Sequence, residues 1–77
     1  MNVILNGRSK YKVELLRKLA DIMSELYDKR EYKPVTELAI DVGLSIPTVY
    51  KYLTVVRKDK SIDQKVRRYI KKCYKVE

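Results

Sequence analysis

Apolar residues recur every three or four positions from Tyr11 to Cys73, and the recurrence breaks only at Pro34, at Gly43 and in the charged stretch around Asp59. That spacing keeps apolar side chains on one side of a helix, so the chain is expected to be all-α. The first segment runs from Ser9, read as its N-cap, to about Lys29. Leu15, Leu16, Leu19, Ile22, Met23 and Leu26 give it an apolar face, with Arg17, Lys18, Asp21, Glu25 and Asp28 between them. It should end between Asp28 and Lys33, because a proline at 34 disfavours helical backbone in the residue before it.

Beyond Pro34 the units are short. Leu38, Ala39 and Val42 share a face, and Gly43 suits the left-handed conformation that closes a helix. Ser45 is the expected N-cap of the next helix, and Pro47 falls in its first turn, where a missing N–H is harmless. Val49, Tyr52, Leu53 and Val56 form its inward face before Arg57-Lys58-Asp59-Lys60 ends it. Ser61-x-x-Gln64 reads as a capping box opening a last helix over 61–75, with Ile62, Val66, Tyr69, Ile70 and Cys73 as its apolar stripe. The expected architecture is a single four-helix domain over 1–77. Residues 1–8 form an arm or short strand, 9–29 a long helix, 34–57 a helix pair and 61–75 a basic helix.

Composition narrows the function. A chain of 77 residues is one small domain, and such a domain buries only about 60% of its unfolded surface, which favours self-association. Hydrophobic residues make up 45% and charged residues 36%, the balance of a globular chain. No apolar run approaches the roughly 20 residues of a membrane span, and Val3-Ile4-Leu5 is too short for a signal peptide. Cys73 is the single cysteine and histidine is absent. A disulfide framework, a cysteine zinc site and any Ser-His or Cys-His nucleophile pair are therefore excluded. No catalytic residue, metal site, cofactor or small-molecule ligand is expected.

The formal net charge is +8, and it is unevenly spread. Residues 1–49 hold 8 Lys+Arg and 7 Asp+Glu, a net of +1, whereas residues 50–77 hold 10 and 3, a net of +7. A basic surface gathered in one third of a chain attracts polyanions, chiefly nucleic acid or an anionic membrane, unless it is only a solvated lysine-rich face.

The segment Pro34 to Leu53, PVTELAIDVGLSIPTVYKYL, chooses between them. It resembles the helix-turn-helix of prokaryotic DNA-binding proteins. Ala39 supplies the small residue where the second helix crosses the first, and Gly43, four positions on, supplies the positive-φ turn. Leu38, Leu44, Val49 and Tyr52 join the two helices, and Ser45 opens the second. The stretch Leu44 to Leu53 is similar to the motif of site-specific resolvases and invertases. Ser45-x-x-Thr48-Val49 is also similar to the lactose-repressor family, in which a further helix follows, as Ser61 to Tyr74 does here. Neither the resolvase catalytic domain nor a repressor ligand-binding domain accompanies the motif, and the long helix at 9–29 belongs to neither pattern. A winged helix is disfavoured, because a basic helix stands where a β-hairpin would be.

The resemblance implies that the second helix enters the major groove of double-stranded DNA. Base contacts then fall to Ser45, Ile46, Pro47, Thr48, Tyr50, Lys51 and Thr54. Lys51 would donate to guanine, and Ile46 and Pro47 would touch thymine methyl groups. Backbone contacts fall to Arg57, Lys58, Lys60, Lys65, Arg68 and Lys72. Not all of these cations can face one duplex, which leaves some for a solvated face or a second DNA segment. The shortage of Arg, Asn and Gln on the reading surface implies modest sequence discrimination, helped by dimerisation or DNA shape.

Seven tyrosines with no Phe or Trp complete the picture. Tyr11, Tyr27, Tyr52 and Tyr69 lie on apolar stripes and are expected in the core, while Tyr32 and Tyr74 near helix ends are expected half-exposed. The function expected is transcriptional regulation, chiefly repression by site occupancy, or the binding of DNA repeats or origins. The protein would be a homodimer joined through the long helix or the 1–8 arm, cytoplasmic and nucleoid-associated, with no membrane partner. A protein- or membrane-surface role for the basic helix is the alternative, and the core accounts better for that helix's apolar stripe.

Overall fold

The computed structural model describes residues 11–76. Four helices follow one another: α1 (Val13–Lys29), α2 (Val35–Val42), α3 (Ile46–Lys58) and α4 (Gln64–Tyr74). No strand occurs among the described residues, so the chain is an all-α, four-helix structure. The arm expected over residues 1–8 and the Ser9 cap lie outside the described residues.

The first three helices contribute the faces that their spacing foretells, whereas α4 buries Val66, Ile70 and Tyr74, leaving the expected Tyr69 and Cys73 partly covered and Ile62 before the helix. Leu16, Leu19, Met23 and Leu26 of α1 meet Leu38, Ala39 and Val42 of α2, Val49, Tyr52, Leu53 and Val56 of α3, and Val66, Ile70 and Tyr74 of α4 in one core. No polar or charged side chain is buried among the described residues, so hydrophobic burial carries the assembly. Helices α1 and α3 each touch all three others, and α4 packs on both of them.

The ends of the helices hold several corrections. Helix α1 begins at Val13, not near Ser9, because Lys12 is extended at φ −76° and ψ 125°. This extended residue donates its N–H to the Tyr52 hydroxyl at 3.0 Å, and the Tyr11 ring beside it stands edge-on to Tyr52 at 5.0 Å. At the other end Arg30 takes the left-handed conformation at φ 57°. Its N–H reaches Tyr27 O and the Glu31 N–H reaches Leu26 O, the paired bonds of a Schellman motif. Gly43 closes α2 as expected, at φ 71°, and the Leu44 N–H turns back to Ala39 O at 3.0 Å. A Cβ at Gly43 would meet nothing within 4 Å. Backbone conformation, not space, is what asks for glycine there.

Ser45 does occupy the residue before α3, but its side chain makes no cap bond to the backbone. Its hydroxyl pairs instead with that of Thr48 at 2.8 Å. The capping box at Ser61 does not form. Asp59 takes both the N–H and the hydroxyl of Ser61, at 3.0 and 2.9 Å, and holds it in a turn. Helix α4 therefore starts at Gln64, with Asp63 as its cap accepting from the Lys65 N–H at 2.8 Å. It ends at Tyr74, where Lys75 is left-handed at φ 54°.

The tyrosines sort differently from their expectation. Tyr52 is buried, while Tyr11, Tyr27 and Tyr69 pack only partly covered against the core. Tyr74, expected half-exposed, is 5% exposed, whereas Tyr32 is 59% exposed. The reason is tertiary: the Tyr74 hydroxyl donates to Lys33 O at 2.7 Å, and the Tyr69 hydroxyl donates to Glu31 O at 2.6 Å. Two rings of α4 thus grip the link between α1 and α2.

Candidate nucleic-acid interface

Val49, Tyr52, Leu53 and Val56 turn α3 inward, so the opposite side of that helix must face out. About 100° separates successive residues of an α-helix, which puts Pro47, Lys51, Thr54 and Lys58 in one line directly opposite the core. Tyr50 and Ile46 flank it on one side and Thr48 on the other. The structure agrees: Ser45, Ile46, Pro47, Tyr50, Lys51 and Lys58 are exposed, and Thr48 and Thr54 are half-exposed. Helix α2 packs across the back of α3, with Ala39 buried and Gly43 turning the chain between them.

Tyr50 differs from the other six tyrosines. Tyr11 and Tyr52 pair, and Tyr27, Tyr69, Tyr74 and Tyr32 form a chain of ring contacts at 5.4 to 6.3 Å. Tyr50 joins neither group among the described residues and is 40% exposed, as is Ile46. The hydroxyls nearby are partly committed. Ser45 and Thr48 share one hydrogen bond, and Thr54 donates to Tyr50 O at 2.9 Å. What α3 offers outward is therefore an aromatic ring, a lysine, an isoleucine and a proline, with hydroxyl oxygens left mainly as acceptors.

The basic residues fall into two groups. Arg57, Lys58 and Lys60 stand at and beyond the C-terminal end of α3, where positive charge also complements the helix dipole. Arg57 is half-buried, and its Nε is shut off from solvent with no hydrogen-bond partner, a state that native proteins rarely keep. Lys65, Arg68 and Lys72 lie elsewhere. Together with Tyr27 of α1 and Tyr69 of α4 they line a groove of about 410 Å³. It adjoins a wider hollow of about 560 Å³ that reaches Tyr32 and Cys73 and carries Asp28 and Glu31. Arg67 points into the chain, its Nε donating to Ile62 O at 3.0 Å. Burial pushes the Tyr69 hydroxyl above its ordinary pKa, with Cys73 next in effect.

The two ion pairs of the described residues, Lys29–Glu25 and Lys33–Asp41, lie on α1 and on the α1–α2 link and α2. Lys51, Lys58, Lys65, Arg68, Lys71 and Lys72 of α3 and α4 are exposed and have no carboxylate partner among the described residues. Reading the sequence missed Tyr27 and Tyr69 as walls of a groove. Their apolar spacing marks them as core, and both pack partly buried against it. The spacing of Lys65, Arg68 and Lys72 on one helix face was the only local signal. No group of three or more His, Cys, Asp or Glu side chains able to hold a metal occurs among the described residues, and no helix there is long and apolar enough to cross a membrane. No family model matches this sequence, and no curated protein or solved structure matches it significantly.

Proposed function

We propose that this chain binds double-stranded DNA, with α2 and α3 acting as a helix-turn-helix and α3 entering the major groove. The observation that carries the reading is the outward side of α3, where Pro47, Lys51 and Thr54 with Tyr50 beside them are exposed or half-exposed, on a helix that packs against α2. Lys51 donates to guanine acceptors, Ile46 and Pro47 contact thymine methyls, and Tyr50 reaches a base edge or phosphate. Ser45, Thr48 and Thr54 offer short polar contacts at the same surface. Arg57, Lys58 and Lys60 hold the adjoining phosphates, each adding about 0.9 to the logarithmic salt slope.

With so few bidentate base-reading groups, the protein discriminates modestly and acts by occupying its site, as a repressor does. A homodimer would read half-sites about one helical turn apart. The basic helix has less to offer a lipid surface or protein groove, since Val66, Ile70 and Tyr74 are spent on the core.

Selection of bound sites from random duplexes, followed by gel shift with the double variant Y50A/K51A, tests the proposal. The expected outcome is an enriched motif that the variant no longer prefers. Unchanged preference and affinity in the variant would sink the docking of α3, and sedimentation of a monomer on DNA would remove the dimer.

A further inference from the structure

We infer that the Tyr27–Tyr69 groove, with Lys65, Arg68 and Lys72 on its wall, grips the phosphate backbone of a second DNA duplex, so that one subunit bridges two DNA segments. The inference rests on the proposed binding of a first duplex by α3 and adds a second surface.

Packing puts the two surfaces on different sides. Helices α1, α3 and α4 touch one another pairwise, so in cross-section they form a triangle. The outer groove between α1 and α4 opens on the side away from α3. Its lining agrees, since no residue of α2 or α3 contributes to it. A duplex lying along Pro47, Lys51 and Lys58 rests on α3, whereas Lys65, Arg68 and Lys72 line a groove to which α3 contributes no residue. These three cations are exposed, and none has an ion pair among the described residues.

Their spacing fits a phosphate strand. From Lys65 to Lys72 an α-helix advances about 10 Å, and one strand of a duplex carries a phosphate about every 3.4 Å of axis. Three cations spread over that length are within reach of neighbouring phosphates of one strand. The neighbouring hollow is balanced, with Asp28 and Glu31 beside Arg30 and Lys72, so the excess positive charge lies along Lys65, Arg68 and Lys72. The rings favour a duplex backbone over stacked single-stranded bases. Tyr27 and Tyr69 stand edge-on at 74° and 6.1 Å, both partly covered by the core, and the Tyr69 hydroxyl is held by Glu31 O. They form a wall, not an open stacking platform.

Co-capture tests this. A biotinylated duplex on beads is incubated with the protein and a second, fluorescent duplex, and wild type is compared with R68E/K72E and the milder R68Q/K72Q. Circular dichroism reads the fold in parallel. Wild type is expected to retain the fluorescent duplex. The R68E/K72E variant should still bind the tethered duplex but retain the second about tenfold less, with R68Q/K72Q in between. Bridging undiminished by charge reversal overturns the inference, because the two α3 helices of a dimer would then hold the two duplexes. Binding of the tethered duplex by wild type without capture of the other overturns it as well. Failure of the α3 reading looks different: Y50A/K51A would then bind the tethered duplex as wild type does, while R68E/K72E would not.

Discussion

The Tyr74 hydroxyl donates a 2.7 Å hydrogen bond to the Lys33 carbonyl, tying the last turn of α4 to the residue just before Pro34. The ring is 5% exposed and stacks on Tyr32 at 5.4 Å. Residues far apart in sequence are thus joined where α1 passes into α2, and the α1–α2 link is positioned by the far end of the chain.

Tyr74→Phe keeps the ring and strands the Lys33 carbonyl, so it should cost about 1–2 kcal/mol in urea unfolding. The same residue makes stability sensitive to alkali. Burial, more than any other cause, raises the Tyr74 hydroxyl above its ordinary value near 10. Above that pH the unfolded chain releases a proton that the folded chain keeps, so stability is whole below about pH 10 and falls as pH rises further. The slope approaches about 1.4 kcal/mol per pH unit for one such group. Tyr74→Phe should flatten this alkaline limb, and an unchanged limb would assign it to other groups.

Two left-handed residues should respond in opposite directions. Arg30 sits at φ 57° with a side chain, and the left-handed region costs a non-glycine residue roughly 1–2 kcal/mol. Arg30→Gly should therefore stabilise the fold by about 0.5–1 kcal/mol after the entropy of glycine is counted, read as a higher unfolding midpoint. Gly43 at φ 71° has open space around its missing Cβ. Gly43→Ala should cost about 1 kcal/mol from backbone strain alone, and Gly43→Asn less. A much larger loss in Gly43→Ala would mean a close approach that the geometry lacks.

Caps offer a third comparison. The Asp63 carboxylate holds the Lys65 N–H at 2.8 Å, so Asp63→Ala should cost about 1 kcal/mol by thermal or urea unfolding. Ser45 makes no such bond, and Ser45→Ala should cost within about 0.5 kcal/mol. Equal losses would restore Ser45 as a true cap.

The inward faces were legible because burial on a helix needs only local periodicity, and Leu16, Leu38, Leu53 and Ile70 are all buried as their spacing requires. Gly43 was legible for a similar reason: few residues tolerate its backbone angle. The outward side of α3 follows from its inward one, so Pro47, Tyr50 and Lys51 could be named from sequence. Caps were read less well. Ser61 and Asp63 both suit an N-cap, and Asp59 decides between them by engaging Ser61 first. Nothing in a one-dimensional pattern ranks those competing bonds.

Sequence alone determined four helices, their core faces and the concentration of charge beyond residue 49, because each depends on residues within a few turns of one another. Only the tertiary structure decided what the charge is grouped with. Whether Lys65, Arg68 and Lys72 flank α3 or line a groove with Tyr27 depends on how α4 packs against α1, through contacts between chain segments that have no fixed register in sequence. The same packing moved Tyr74 inward and left Tyr50 as the exposed ring outside both tyrosine groups. Side-chain periodicity selects a helix face, but only the assembled core selects that face's neighbours.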